Sequence, residues 1–405
     1  MNENNQSILA VNVGSSSIKF TLYAIENNAI KCTLLKGKSD HLDEKCIAKI
    51  EYEYDYHVDC DEFYIPEKID KFDAVLEKLT SKLNELFPTT VVVAIGHRVV
   101  HGGQKYFQSV IITKEVIDDL MGYIPLAPLH QPHNVDGIHI FSKYFSDAIQ
   151  IACFDTAFHR TLPDIEKTYP IPTSLKEKGI IRYGFHGLSY QYICQTLEQL
   201  TDSINRKSIL IHLGNGASMC ACLHQKSVAT SMGFSTLDGL MMGTRSGSID
   251  PGILIYLLRQ HWSVDDIENM LYHDSGLKGV SGISSDMLTL RQSHSPHALF
   301  AINLFIYEMI KSIGMLIAIL NGVDLIVFTG GIGEHDAQLR QDFIRQISYF
   351  GAKIDDEKNT RMIVSNPKKI SRSESAVEIW VVPTDEELIV AQEVLRLYKS
   401  KNKSL

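Results

Sequence analysis

Two arginines stand in segments that give their long side chains few neighbours: Arg98 within Gly96-His-Arg-Val-Val-His-Gly-Gly103, and Arg245 within Met242-Gly-Thr-Arg-Ser-Gly247. A guanidinium in such a setting suits bidentate gripping of a carboxylate or phosphate. Three turns rich in glycine, serine or asparagine, Gly14 to Ser17, Gly214 to Ser218 and Gly330 to Gly333, each follow an apolar run. Turns of this kind expose backbone N–H groups to an anion. Lys19 lies just past the first of them and could point a cation at a phosphate. Asp155 ends the run Gln150 to Phe154, at the strand end where α/β sheets place ligands. His130, His159 and His186 lie in short segments flanked by proline or glycine and are expected to be exposed. Together these residues suit phosphoryl transfer, in which catalysis is mostly positioning and charge neutralisation.

Other chemistries lack their signatures. There is no G-x-x-x-x-G-K-[ST] loop, and Gly331-Ile-Gly333 lacks the third glycine of a dinucleotide fingerprint. No G-x-S-x-G elbow supports a serine hydrolase. The pairs His97 and His101, and His130 and His133, have ligand-like spacing, but no HExxH exists and the first pair lies on a strand and turn, which argues against zinc.

The elements that must position these residues alternate. Val91 to Ile95 and Gln150 to Phe154 read as strands, and Lys71 to Phe87 and Ser189 to Leu200 carry helical spacing, which predicts an α/β fold. Glu51 to Tyr56 alternates acid with tyrosine as a half-exposed strand does. Ile8 to Leu22 and Ile209 to Leu223 resemble each other: each is an apolar strand, a small-residue turn and a second apolar run. Superposing Gly14 on Gly214 superposes Asn12 on His212, which suggests two related halves. The prolines Pro163, Pro170 and Pro172 mark an irregular stretch that could cross between them. Toward the C-terminus, Ala298 to Leu320 predicts a long, largely buried helix. A strand Leu325 to Thr329, the turn Gly330 to Gly333 and another helix follow. Last come a strand Val377 to Val382 and a helix from about Asp385 to Lys399, with Thr384 or Asp385 as its cap.

With 405 residues, the chain exceeds the common domain size of about 100 to 200 residues, so two cores are expected. Its 39 basic and 48 acidic residues give a net charge of −9 with no basic block, which disfavours nucleic acid as a partner. The apolar run Ile313 to Leu320 is shorter than the roughly 20 residues of a membrane span, so no membrane partner is expected. Met1 to Ser7 lacks a signal-like core, and the 7 cysteines, Cys46 among them, contain no CxxC pair; both point to reduced thiols and a cytoplasmic location.

At this point the chain resembles the acetate and propionate kinase family, within the superfamily of actin, hexokinase and heat-shock chaperone ATPases. The resemblance runs through VNVGSSSIKF, GHRVVHGG, APLHQPHN, CFDTAFHRTLP, RYGFHGLSY, HLGNGAS, GLMMGTRSGSIDPG, FTGGIGEH and PTDEEL, over essentially the whole chain. It implies two duplicated ribonuclease H-like (actin-like ATPase) α/β domains around a central cleft, residues 1–156 plus 388–405 and residues 157–387. It also implies a homodimer, and Mg²⁺- or Mn²⁺-dependent, direct in-line transfer from ATP to acetate, giving ADP and acetyl phosphate.

Carried over by motif, Asn12 and Glu386 are expected to hold the metal, and Lys19, Ser15 and Ser17 to lie near the phosphates. His212, Leu213, Gly214, Asn215 and Gly216 form the expected phosphate loop of the second half. Gly331, Ile332, Gly333, Glu334 and His335, with Asp286, Met287 and Leu288, are expected at the nucleotide. The resemblance further implies that Arg98 and Arg245 grip the carboxylate and the transferring phosphoryl, that His186 adds a hydrogen bond, that Asp155 orients the carboxylate or its arginine clamp, and that His130 supports the substrate side. Val100, Leu129, Phe185 and Thr236 are expected to border the methyl pocket. Three positions depart from the family pattern: Thr236 stands where proline is usual, Leu288 where arginine is usual, and Ser248 where aspartate is common. Two other readings share the fold: an ATP-driven interaction protein of the actin or chaperone type, and a kinase of sugars or other alcohols.

Overall fold

The computed structural model describes residues 5–14, 17–39, 47–55, 57–65, 71–361 and 365–402; Ser15, Cys46 and Tyr56 lie outside them. The chain divides into two compact units, Met1–Ala157 with Asp385–Leu405, and Phe158–Thr384. Ala157 and residues 385–387, expected with the second half, therefore fall in the first. The C-terminal helix that carries Glu386 packs on that unit's first and sixth strands.

The first unit holds β1 (Asn5–Val13), β2 (Ile18–Glu26), β3 (Ala29–Ser39), β4 (Ile47–Tyr54), β5 (His57–Tyr64), α1 (Lys71–Leu86), β6 (Thr90–Val99), β7 (Val110–Ile111), α2 (Lys114–Gly122), α3 (Gln131–Tyr144) and β8 (Ile149–Phe154). Its sheet order is β5-β4-β3-β2-β1-β6-β8-β7. One core joins Leu9, Phe20, Leu22, Ile50 and Tyr52 to Val75, Leu76 and Leu79 of α1. Apolar residues at helical spacing lay α1 on the sheet, and Lys82 pairs with Asp59 of β5 at 3.0 Å. A β-carbon on Gly96 would stand 2.4 Å from Val390 Cγ1 and 2.5 Å from Val394 Cγ2, so that glycine lets the C-terminal helix close onto β6.

The second unit continues with α4 (Asp164–Lys167), α5 (Thr173–Glu177), α6 (Gly187–Glu198), β9 (Lys207–Leu213), β10 (Ala217–Leu223) and β11 (Lys226–Thr230). Next are α7 (Pro251–Arg259), α8 (Val264–His273), α9 (Gly276–Ser281), α10 (Met287–Gln292) and α11 (Pro296–Leu320). The unit closes with β12 (Leu325–Thr329), α12 (Gly330–His335), α13 (Ala337–Gln346), α14 (Asp356–Thr360), β13 (Lys368–Lys369) and β14 (Glu378–Val381); the final helix of the chain is α15 (Glu386–Asn402). Sheet order is β11-β10-β9-β12-β14-β13.

The two sheets repeat one plan. In each, the first strand pairs antiparallel with the second and parallel with the strand on its other side, β6 or β12, which pairs parallel with β8 or β14. Asn12 opposes Lys19 in the first hairpin, and His212 opposes Ser218 in the second. The two polar residues thus occupy matching positions of a duplicated sheet.

Several expected boundaries shift. The glycine turn after β12 is the start of α12, because Gly330 adopts a left-handed backbone (φ 76°) and its N–H donates to Glu334 Oε1 at 2.8 Å, which anchors the helix. Helix α15 is capped by Asp385, whose Oδ1 accepts from Leu388 N–H at 2.9 Å. Helix α11 has the length and apolar content of a membrane span, more than the run from Ile313 suggests. Its buried stripe, including Ala301, Phe305, Met309, Ile313 and Leu316, packs within the second unit against α9 and β10.

Candidate active site

Arg98 is the hub of a polar cluster in the first unit. It leaves β6 beside Asp155, which directly follows β8, and the two strands are parallel neighbours, so the side chains meet at matching strand ends. Arg98 Nε donates to Asp155 Oδ1 at 3.1 Å and Nη2 to Oδ2 at 2.6 Å. Nη1 reaches Asn12 Oδ1 at 3.3 Å, and Nε lies 3.4 Å from Glu386 Oε2. Burial opposes the charge on Arg98, but Asp155 and Glu386 outweigh it and hold the guanidinium more firmly protonated than usual. Burial is also the main cause that pushes Glu386 up, to about 7; Arg98 offsets it, while Asp155 and Glu387 add to it.

Around this hub, Asn134 ties two strands together, accepting from Val100 N–H at 3.0 Å and donating to Val13 O at 2.9 Å. Val100 is buried, Leu129 and His130 are half-buried, and His130 stands at the start of α3. Lys19 is exposed on β2 opposite Asn12, and Ser17 closes the hairpin, its carbonyl accepting from Gly14 N–H at 2.8 Å. Ser15 lies outside the described residues.

The second unit carries a separate cluster. His186 adopts a left-handed backbone (φ 58°) before α6, which turns its imidazole onto that of His212: the rings stack at 4.3 Å and 19°. His186 Nδ1 lies 2.7 Å from Ser218 Oγ, and His212 Nδ1 lies 2.9 Å from Ser189 Oγ. The Gly214 to Gly216 loop closes on itself, Gly214 N–H donating to Gly216 O at 2.9 Å. A β-carbon on Gly216 would stand 2.8 Å from Arg245 Nη2 and 3.2 Å from His186 Nε2, so both groups press on the loop where glycine leaves room. Arg245 is held from behind, Nη1 donating to Thr236 O at 2.6 Å. Asn215 packs against Gly243, whose N–H donates to Asn215 O at 3.2 Å; the arginine loop and the glycine loop are thereby joined. Leu213 is buried beneath Gly330.

Other expected residues take different places. Asp286 caps α10, accepting from Thr289 N–H at 2.8 Å; Met287 is buried and Leu288 is 65% exposed, so the departure at 288 leaves an apolar side chain in water. The Glu334 carboxylate folds back, accepting from Gly330 N–H at 2.8 Å and Thr384 N–H at 3.1 Å, and so stitches α12 to the segment after β14. Gly331 and His335 are exposed, Ile332 is half-buried and Gly333 is buried. Phe185 and Thr236 are buried. His159, expected to be exposed, is buried, with Nδ1 2.8 Å from Ser227 Oγ and Nε2 2.9 Å from Phe185 O; it braces the segment before His186. Ser248, the third departure, hydrogen-bonds to Asp238 Oδ1 at 2.6 Å. The sequence does not announce Ser189 or Tyr190 as partners of the histidines, and it marks Ser218 only as the end of a turn and Thr384 only as a possible helix cap. The one available signal was register, since Ser218 faces His212 across the hairpin.

Among the described residues, no group of three or more His, Cys, Asp or Glu side chains is arranged to hold a metal ion. Asn12 and Glu386, both next to Arg98, offer two hard oxygen donors. Such a sparse set matches Mg²⁺, which usually keeps several waters and takes one or two carboxylates plus substrate phosphates.

The sequence profile described as "Acetokinase family" matches residues 7–392. A protein named acetate kinase from Rhodopseudomonas palustris (strain TIE-1) is 43% identical over 397 residues, covering 96% of this chain and 98% of that protein. One from Rickettsia akari (strain Hartford) is 42% identical over 391 residues, with 96% and 98% covered. Among solved structures, a propionate kinase from Francisella tularensis subsp. tularensis SCHU S4 matches with a TM-score of 0.87 at 37% identity, over 96% of this chain and 99% of that one. Porphyromonas gingivalis acetate kinase matches at 0.84 and 33% identity, over 97% and 100%.

Proposed function

The chain belongs to the Acetokinase family, whose members carry the actin-like ATPase fold, and from that premise we propose that it transfers the γ-phosphoryl of ATP to acetate, reversibly and in line, giving acetyl phosphate and ADP. The observation that carries this reading is the convergence of Arg245 Nη2 and His186 Nε2 on the Gly214 to Gly216 loop. Two N–H donors, one of them charged, at a loop with no side chain in the way suit a phosphoryl group whose charge spreads over three oxygens.

Acetate is ionised at neutral pH, so the reaction needs no strong general base, and positioning carries the chemistry. Asp155 occupies one edge of Arg98, and Asn12 takes one proton of Nη1. Each terminal nitrogen keeps a further N–H to offer the substrate carboxylate or the phosphoryl group. Asn12 Oδ1 and the Glu386 carboxylate are the donors that would hold Mg²⁺ or Mn²⁺; a carboxylate pushed up to about 7 by burial is one that a cation relieves. When bound, the ion neutralises charge on the phosphate oxygens. Gly331 to His335, Met287, Lys19 and Ser17 complete the proposed nucleotide contacts. Asp286, engaged as a helix cap, contributes by fixing α10, and Leu288 offers only an apolar surface.

Val100, Leu129 and His130 of the first unit, and Phe185 and Thr236 of the second, are the residues proposed to recognise the acetate. Propionate is the second reading, favoured by likeness to the Francisella tularensis propionate kinase; Thr236 replaces the ring of the family's proline with an open, β-branched side chain of similar size. An alcohol kinase would want an aspartate free to act as base, whereas both carboxylate oxygens of Asp155 are committed to Arg98. Pairing of two copies belongs to the same proposal; exposed Ile255, Tyr256 and Leu258 on α7 and Phe300 and Tyr307 on α11 give apolar surface for it. A cytoplasmic setting suits the free thiols Cys153, Cys194, Cys220 and Cys222.

The test is a hydroxamate assay for acetyl phosphate on wild type, Arg98→Ala and Arg245→Ala. Each variant is expected to fold and to lose on the order of 10³-fold or more in turnover. Wild-type turnover in either would defeat the mechanism.

A further inference from the structure

The two stacked imidazoles of the second unit are each tied at Nδ1 to a buried serine, and each serine is tied to a second hydroxyl. Ser218 Oγ meets His186 Nδ1 at 2.7 Å and also hydrogen-bonds to the Tyr190 hydroxyl. Ser189 Oγ meets His212 Nδ1 at 2.9 Å and accepts from Thr384 Oγ1 at 2.9 Å. Ser189, Tyr190 and Ser218 are all 0% exposed, so bulk water does not compete for these bonds.

Proton counting fixes the direction of the first chain. A serine hydroxyl has one proton to donate, and a tyrosine hydroxyl has one. Among the described residues, the Tyr190 hydroxyl has no acceptor except Ser218 Oγ, and a buried donor left unpaired is costly. Burial keeps Tyr190 protonated far above its ordinary range, so the proton is there to give. Tyr190 therefore donates to Ser218, and Ser218 must spend its own proton on His186 Nδ1. An Nδ1 that accepts leaves the neutral ring with its proton on Nε2. In the second chain Thr384 Oγ1 donates to Ser189 Oγ at 2.9 Å, which leaves the single Ser189 proton for His212 Nδ1.

We infer that Tyr190–Ser218 and Thr384–Ser189 are positioning relays that set His186 and His212 as neutral Nε2–H tautomers, both aimed as hydrogen-bond donors at the Gly214 to Gly216 loop. A β-carbon on Gly216 would stand 3.2 Å from His186 Nε2, and one on Gly214 would stand 3.8 Å from His212 Nε2, so both donor edges face that loop. An Nε2 that carries a proton has no lone pair for attack or for proton removal. The histidines are thus donors to phosphoryl oxygens and neither bases nor phosphoryl carriers. Rings stacked at 4.3 Å also favour two neutral donors, since two adjacent positive charges would repel. This deepens the acetate kinase reading and rests on it for the identity of the group being held.

The experiment combines long-range ¹⁵N–¹H spectra of histidine-labelled protein with kinetics of Ser218→Ala, Ser218→Thr and Tyr190→Phe. The spectra are expected to show His186 as the Nε2–H tautomer in wild type and as a tautomer mixture in Ser218→Ala. Turnover is expected to fall at least about tenfold in Ser218→Ala, the cost of one misdirected strong hydrogen bond, with little change in KM for ATP, and to return in Ser218→Thr. Tyr190→Phe, which removes one atom and keeps the packing, is expected to mix the tautomer and lower turnover without lowering the thermal midpoint much. An Nδ1–H signature for His186 in wild type overturns the proposal. So does a Ser218→Ala variant that loses turnover with its tautomer unchanged, which would mark Ser218 as merely structural. If wild type made no acetyl phosphate, the functional reading would fail, while the spectra would still decide the tautomer.

Discussion

Arg98 and Asp155 form a two-point pair, Nε to Oδ1 at 3.1 Å and Nη2 to Oδ2 at 2.6 Å, with the carboxylate 1% exposed and the guanidinium 19% exposed. Removing one partner of such a pair leaves an uncompensated buried charge, which costs about 3 to 5 kcal/mol. Glu386 lies 3.4 Å from Arg98 Nε and takes up part of the charge, so Asp155→Ala is expected at the lower end, about 3 kcal/mol in urea unfolding. Turnover in Asp155→Asn, which keeps shape but loses charge, should fall well before stability does. Unchanged stability and turnover in both variants would remove Asp155 from the site.

Gly216→Ala tests the loop. The added methyl would meet Arg245 Nη2 at 2.8 Å and His186 Nε2 at 3.2 Å, in the space assigned to a phosphoryl oxygen. Because both neighbours are side-chain ends that can give, the thermal midpoint should move little, while turnover falls about a hundredfold from the displaced donors. A variant that is fully active would show that the loop does not face the reacting group.

His97 gives a pH dependence of stability. It is 2% exposed, its Nε2 is 2.7 Å from Gln150 Oε1, and burial lowers it to about 4. The unfolded chain binds this proton with a value of about 6.5, so the folded state binds fewer protons between the two values. The stability contribution is therefore full above about pH 6.5 and is lost as pH falls toward 4, by no more than about 3 kcal/mol. Urea midpoints at pH 7.5 and 5 should separate, and His97→Gln should narrow the separation; an equal separation in the variant would assign the effect to other groups.

Thr236, proposed above as a neighbour of the substrate methyl, also holds Arg245, since its carbonyl accepts from Arg245 Nη1 at 2.6 Å. Thr236→Pro keeps that carbonyl while it exchanges the side chain, fixes φ and removes the residue's own N–H. Turnover on acetate should survive, and the ratio of kcat/KM for acetate over propionate should shift within about tenfold, the scale of one methylene in a small pocket. An unchanged ratio across acetate, propionate and butyrate would place residue 236 away from the methyl group.

Chelation gives a further check. With EDTA, acetyl phosphate formation should cease and return on adding Mg²⁺ or Mn²⁺, and Glu386→Gln should raise the metal concentration needed by at least about tenfold, the loss of a charged ligand. Metal-independent turnover would exclude the assignment of Asn12 and Glu386.

Much of this was legible without coordinates because it is written in short, contiguous patterns. The hairpins at Ile8 to Leu22 and Ile209 to Leu223, the glycine loops, Arg98 and Arg245 in their open segments, and Asp155 at a strand end are all local. Strand alternation and turn chemistry act over a few residues, so the duplicated α/β plan follows from them. The family motifs name the candidate residues, again because each motif is an unbroken string.

The partner of each side chain is set by packing between elements far apart in the chain. Arg98 meets Asp155 because β6 and β8 are parallel neighbours in register, and it meets Glu386 because Gly96 lets α15 settle on β6. Ser189 joins His212 to Thr384, whose distance from Ser189 along the chain is 195 residues. His159 became a buried brace and Glu334 a stitch, roles no string of neighbours announces. Hydrogen bonds of this kind depend on register, on a left-handed residue at His186 and on the depth of burial that makes an unpaired proton costly. Those are properties of packed strands and helices, so composition and spacing name the chemically capable groups, and the fold determines which of their protons point where.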